Sequence, residues 1–375
     1  MIYSINRDRY RSKLIDDFFL FLGVVSFTLT FFHLFFWIPI LLSSYYFIIK
    51  AVISLSHLRL GVNALLFLSF LVFCFFAAVA WGVFNGLYNL KQLIIVSMGC
   101  VLGLSVANSQ ISTFWAWLPV TVAVVVFSSL FFLGWDVYNI LPQNSRNFIS
   151  VILLGLYSTA LLLDKPDRIS IGMVLIAALI FFLSIWAEGR SGIVSSFLML
   201  TMASVSFFVR SRFFRSKLWI FVILVVLSWF FFFLYDFGMF DRISIKGFTD
   251  HSRERIFLWY FSDITIFELF FGRNPEDVER LSKFGFNLHN SYLAALAFGG
   301  VFYFFLMVLV VLLSAFKYFS IPFIAIAVIP LSIRALTDIQ IYVGKYDFVI
   351  VAALFIVLNL KLESLAMGKC RNQTD

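Results

Sequence analysis

Charge is scarce in this chain: 13% of its 375 residues are Asp, Glu, Lys or Arg, against roughly 25% in an average soluble domain. With so little polar material no aqueous surface could be covered, so a water-soluble globule is excluded and the bilayer has to be the solvent. Cysteine is scarcer still. Cys74 and Cys100 sit in apolar stretches and Cys370 in the C-terminal tail, with no metal-type spacing and no paired framework, which makes all three bystanders. After the opening MIYSINRDRYRSKL no small-residue cleavage pattern closes the first apolar run, so that run is read as a retained helix and not a signal peptide. Internal repeats, low-complexity tracts and a separate soluble domain are lacking too.

What is there is apolar. Hydrophobic residues make up 62% of the chain, and 51 of them are phenylalanines, with runs such as Phe230 to Phe233. On a water-facing element such runs would aggregate; against acyl chains they are at home. The formal charge of +8 does not point to nucleic acid, because the basic residues fall in short clusters between apolar runs, as membrane orientation requires.

A spanning helix needs about 20 apolar residues. Runs of that kind fall near 18–32, 34–50, 62–83, 92–108, 113–134, 147–163, 169–187, 191–209, 218–235, 290–315, 319–334 and 347–360, so the expected fold is all-α, one polytopic membrane domain over residues 1–375 with about twelve spanning helices. Phe18 to Ile49 is one uncharged stretch of about 48 Å as helix, too long for one crossing and barely enough for two, with a break expected at His33 or Pro39.

Placing both termini in the cytoplasm assigns sixteen Lys and Arg to cytoplasmic segments, including the cluster from Arg210 to Lys217. The short outer loops and helix ends hold five: Lys91, Arg146, Arg190, Arg334 and Lys345. This is a positive-inside bias. The other seven lie in one long segment, 236–289, inserted between the ninth and tenth expected helices and placed on the periplasmic side. It contains the amphipathic stretch RERIFLWYFSDITIFELFF, whose apolar residues suit short helices lying in the membrane interface.

Ionisable residues beside apolar helices are costly and therefore the natural candidates for function. Glu188 and Arg190 stand at the junction of two helices joined by almost no loop. Arg253 and Arg255 open the amphipathic stretch, and His289 with Asn290 marks where the long loop re-enters the membrane. Arg334 and Asp338 border the next outer connection, which Lys345 and Asp347 close. All are expected at the outer leaflet, so a shared site is the economical reading. Guanidinium groups grip phosphate oxygens in pairs, which suggests an anionic lipid head such as a diphosphate, and a histidine beside them could take a proton from a hydroxyl. Each has a plainer reading: Glu188 with Arg190 as a helix-end ion pair, Arg334 with Asp338 as an i, i+4 pair, and His289 as a structural hydrogen-bonding residue. Arg273, Arg280 and Lys283 read as solvated or headgroup-facing loop charges. His33 and His57 have no acidic partner nearby in sequence and are assigned no role. The glycines of Phe298-Gly299-Gly300 read as permitting close helix packing, since no strand precedes them to make a phosphate cradle.

His289-Asn290 followed by Gly300 and Tyr303, Arg190-Ser191-Gly192 at the start of a middle helix, and Arg255 with Trp259 and then Phe271-Gly272 at the opening of the long loop come in this order from about Phe181 to the last helix. In these features the chain resembles the bacterial superfamily of O-antigen ligases and O-antigen polymerases. The resemblance implies a periplasmic glycosyl transfer in which a glycan leaves undecaprenyl diphosphate for a hydroxyl of a glycan or lipid-linked acceptor, with no cofactor, nucleotide sugar or metal. It further implies Arg190 and Arg255 as the residues that hold the diphosphate, Arg334 as a third, and His289 as the residue that binds or deprotonates the acceptor. Arg253, Asn290, Glu188 and Asp338 are the accompanying substrate-binding candidates, and a chain-length regulator is an expected partner. Val194 stands where the ligases' arginine-x-x-x-leucine pattern has its leucine, and a loop of about 50 residues is short for a ligase. Both points favour a polymerase of O-antigen or capsule repeat units. A ligase acting on lipid A core is the alternative. A flippase for the same lipid-linked sugars would carry charges at mid-membrane depth and two similar halves, neither of which this sequence displays.

Overall fold

The computed structural model describes residues 15–26, 42–43, 46, 80, 83, 90–109, 111–140, 148–210, 251–318, 320–337 and 346–357. Among the described residues every regular element is helical and no strand occurs. Residues 15–26 are helical. They are followed by α1 (Leu90–Asn108), α2 (Thr113–Phe132), α3 (Phe148–Asp164), α4 (Ile171–Trp186), α5 (Arg190–Arg210), α6 (His251–Phe261), α7 (Ile266–Phe271), α8 (Ser291–Phe316), α9 (Pro322–Ala335) and α10 (Asp347–Val357). Thr113–Phe132, Arg190–Val209 and Ser291–Phe316 are long and apolar enough to cross a membrane; α3, α4, α9 and α10 are apolar but shorter. The expected run 218–235, all of 34–50 but residues 42, 43 and 46, all of 62–83 but residues 80 and 83, the Arg210 to Lys217 cluster beyond Arg210, Asp338 and Lys345 lie outside the described residues.

Two short helices form the centre. From Ile149 to Asp164 every residue of α3 is buried, and in α9 all but two residues are, so neither presents a face to the surroundings. In lipid, apolar side chains gain little by leaving the solvent, so association rests on close packing and hydrogen bonds. Both are present: α9 puts Ala325 and Ala327 at its buried faces, and the Ser158 hydroxyl donates to the Ala327 carbonyl at 2.7 Å. The outer helices show the reverse. On α2, Phe114, Trp115, Val122, Val125, Val126 and Phe132 are exposed, as is Trp135 just beyond it. Trp115 stands in the first turn of α2 and Trp135 just past its end, with a helical rise of about 26 Å from Trp115 to Phe132, an arrangement that suits the two interfacial aromatic belts.

Polar side chains fasten the helix ends. At one end Asp164 accepts from the Thr113 hydroxyl (2.7 Å) and from the Trp117 indole (2.9 Å), while the Lys165 ammonium donates to the carbonyls of Ala107 and Ser109 at the end of α1. The Tyr318 hydroxyl, just past α8, donates to the Met202 carbonyl near the end of α5. The starts of α3, α5 and α8 and the end of α9 therefore lie at the opposite end.

The expected amphipathic stretch is two helices, not one. It breaks after Phe261, where Asp263 takes a left-handed φ of 61°, and α7 restarts on a capping box between Thr265 and Glu268. Ile256 and Tyr260 of α6 share an apolar cluster with Val278, Leu281, Leu288, Leu293 and Ala297. Arg273 corrects the reading of it as a solvated charge. Its guanidinium donates to the carbonyls of Tyr260 (2.9 Å) and Ser262 (2.7 Å), the open end of α6, and pairs with Glu268 at 3.6 Å. A cation at a helix C-terminus satisfies carbonyls that the helix itself leaves open.

Helix α8 is interrupted at Gly300 (φ 63°, ψ −167°), a conformation open only to glycine. The carbonyl of Ala297 there accepts from the Arg273 backbone N–H at 3.0 Å. A Cβ on Gly300 would collide with the Phe270 carbonyl and one on Gly272 with that of Ala297. Close packing at 298–300, expected from sequence, is thus joined by a kink that seats α7 backbone against backbone.

Candidate functional site

Arg190 is the first residue of α5 and is exposed, as is Glu188 in the tight turn before it, where Glu188 has a left-handed φ of 52°. Two residues into α5, Gly192 faces Ser150 at the start of α3; a Cβ would collide with the serine side chain and would stand 3.9 Å from Nε of Arg334. The missing side chain lets α3 and α5 close up and leaves room for the arginine arriving from α9.

Arg334 is fully buried, at 0% exposure. Its Nη1 donates to the Thr337 hydroxyl, which in turn donates to the Arg334 carbonyl at 2.9 Å. A cation in the last turn of a helix complements the negative end of the helix dipole. Sequence position alone placed Arg334 with Arg190 at the headgroup level, yet the two differ: Arg190 is exposed and Arg334 is buried on α9 beside Gly192 of α5.

The third part of the site is the start of α8. His289 is half-buried with a left-handed φ of 49°, and its N–H donates to Oδ1 of Asn287 at 2.9 Å. Asn290 caps α8: its Oδ1 accepts from the N–H of Tyr292 (2.8 Å) and Leu293 (3.2 Å). That oxygen is committed to the backbone, so only the amide nitrogen of Asn290 could meet a substrate. One residue that the sequence reading passed over completes the link: the Tyr292 hydroxyl donates to the Ser332 carbonyl at 3.2 Å, two residues before Arg334. Its only signal in the sequence is its place in the first turn after the His-Asn pair, which does not say what it faces.

The α6 arginines differ from each other. Arg253, Ile256 and Tyr260 share one helix face by spacing, and Arg253 is half-buried, while Arg255 is exposed. They are tied to the site through the cluster that holds Ile256 together with Leu288 and Leu293, the neighbours of His289 and Asn290. Asp338 falls outside the described residues.

Two helix N-termini, those of α5 and α8, thus open at the same end of the bundle as Arg190, Arg334 and His289. The positive ends of two helix dipoles and the permanent charge on guanidinium groups together favour an anion there, and His289 at the same end brings a group of the kind that exchanges protons. No family model matches the chain, no curated protein matches it, and no solved structure matches it.

Proposed function

We propose that the chain polymerises undecaprenyl-diphosphate-linked oligosaccharide repeat units of a surface polysaccharide, O-antigen or capsule, by metal-independent glycosyl transfer. In this reading it spans the bacterial inner membrane about twelve times with both termini cytoplasmic, and segment 236–289 and the site are periplasmic. The observation that carries the reading is the pair of links at one end of the bundle, Gly192 against Ser150 and Arg334 and Tyr292 to Ser332. They gather the starts of α5 and α8 and the end of α9, although these are far apart in sequence.

The chemistry asks for two things. The acceptor hydroxyl oxygen attacks the anomeric carbon of the donor glycan; the bond from that carbon to the diphosphate oxygen breaks, and its electron pair leaves on the diphosphate. Diphosphate is a good leaving group, so the protein has to stabilise the charge growing on its oxygens and orient the hydroxyl. Arg190, Arg255 and Arg253 supply the charge, with the buried Arg334 as a further contact for the diphosphate beside the start of α5. His289 takes the hydroxyl proton, Glu188 and Asp338 balance the arginines, and the amide nitrogen of Asn290 can donate to a sugar oxygen.

The test is complementation of a deletion strain. His289→Ala and Arg190→Ala proteins that insert at wild-type level should abolish the polymer ladder, while Arg280→Ala should leave it intact. Unchanged surface polysaccharide with either of the first two would refute the catalytic reading. Full-length glycan stranded on undecaprenyl diphosphate in the deletion strain would identify a ligase instead, and single repeats on core a polymerase.

A further inference from the structure

We propose that α7 and the adjoining face of α8 form a lipid-binding surface, with the aromatic side of α7 seated among phospholipid acyl chains of the leaflet nearest His289. The inference uses the topology proposed above but not the reaction. On α7, Ile266 is 77% exposed, Phe267 50% and Phe270 42%, and Phe302 and Phe305 of α8 are exposed as well. The rings of Phe270 and Phe302 lie 6.0 Å apart, so the patch runs without interruption from α7 onto a helix long and apolar enough to cross a membrane. A continuous apolar face of this kind on a spanning helix has acyl chains as its surroundings.

Three features keep polar groups out of that face. The single charge on α7, Glu268, is half-buried and held by its neighbours: it accepts from the Thr265 N–H (2.7 Å) and hydroxyl (2.8 Å) and pairs with Arg273. The N–H of Glu268 and that of its cap residue Thr265 are met by the capping box, the kind of pairing that lipid demands at a helix end. At its end, the Arg273 N–H is taken by Ala297. Depth agrees. Ala297 lies seven residues past the Asn290 cap, about 10 Å further along α8, so with Asn290 at the headgroups α7 reaches the upper acyl region of a half-bilayer about 15 Å thick. Bolted to the Gly300 kink, α7 would fix the height at which His289 and Asn290 stand above the hydrocarbon.

The full chain, with p-benzoylphenylalanine replacing Phe267 or, in a second protein, the more exposed and less packed Ile266, is reconstituted into phosphatidylethanolamine–phosphatidylglycerol nanodiscs and irradiated. Phe305 serves as the lipid-facing control and Arg280 as the solvated one. Adducts of phospholipid mass at 266 and 267, comparable to those at 305 and absent at 280, are the expected result. A cross-link to a second copy of the chain, or no lipid adduct at 266 and 267 while 305 gives one, would overturn the proposal. None of these positions belongs to the proposed catalytic set, so polysaccharide made by the same variants reports separately on the transferase reading.

Discussion

The Tyr292 hydroxyl reaches the Ser332 carbonyl across 40 positions of sequence, and so ties the first turn of α8, just after His289 and Asn290, to the last turns of α9, which carry Arg334. The bond joins a half-buried ring to a backbone group that belongs to a wholly buried part of the bundle. Through this hydrogen bond the turn that carries His289 is coupled to the segment that carries the buried Arg334.

Removing that hydroxyl alone is therefore informative. Tyr292→Phe loses one neutral hydrogen bond, about 1 kcal/mol, and should lower the thermal midpoint only slightly while reducing polysaccharide by far more than the loss of folded protein explains. Midpoint and ladder intensity measured on the same membranes check this. An undiminished ladder would separate the bond from the reaction.

At Gly192 the expected effect is steric. Gly192→Ala drives a methyl into the Ser150 side chain and should cost about 1–3 kcal/mol by overpacking. Because the obstacle is a side chain, adding Ser150→Gly should recover much of the loss. Thermal midpoints of the two single variants and the double variant read the coupling.

The kink at Gly300 should admit no such rescue. Gly300→Ala meets a backbone carbonyl, that of Phe270, at a φ of 63° and ψ of −167° where a Cβ is itself unfavourable by roughly 1–3 kcal/mol. Trimming Phe270 to Ala removes a ring but leaves the carbonyl in place, so the double variant should be no more stable than Gly300→Ala alone. Protease resistance of segment 251–290 in the intact protein is the measurement.

Lys165 makes a prediction in pH. Burial pulls its ammonium from the ordinary 10.5 down to about 8. Between those values the unfolded chain keeps a proton that the folded chain has released, so stability should rise as pH climbs from about 8 towards 10.5 and should not change on this account below 8. The thermal midpoint of the wild type minus that of Lys165→Met, followed from pH 7 to 10, should increase over the upper part of the range; a flat difference would contradict it.

Helix positions were legible in the sequence because hydropathy is a local property. The runs at 92–108, 113–134, 147–163, 169–187, 191–209, 290–315, 319–334 and 347–360 each fall on a helix, since a segment with nothing else to satisfy its backbone in an apolar medium has to be one. The candidate arginines and the histidine were legible for the same reason, as costly groups beside apolar runs. What each side chain faces was not. Arg190 and Arg334 look alike in sequence, yet one is exposed and the other fully buried. Arg273 reads as a loop charge and holds the end of α6, and Asn290 reads as a ligand and caps α8. Gly192 is marked in the sequence only as part of Arg190-Ser191-Gly192, which does not say that it faces Ser150, and Tyr292 carries no signal strong enough to single it out.

Composition and spacing by themselves decided that the chain is a set of apolar helices with its ionisable residues pushed towards their ends, because a continuous apolar run of about 20 residues satisfies its own backbone in an apolar medium as a helix, whereas barrel strands are shorter and alternate. Only the tertiary structure decided which arginine lies inside, where α8 bends and which tyrosine spans two helices. Those outcomes depend on how helices are rotated about their axes and how closely neighbours approach, and both are set by partners many positions away along the chain.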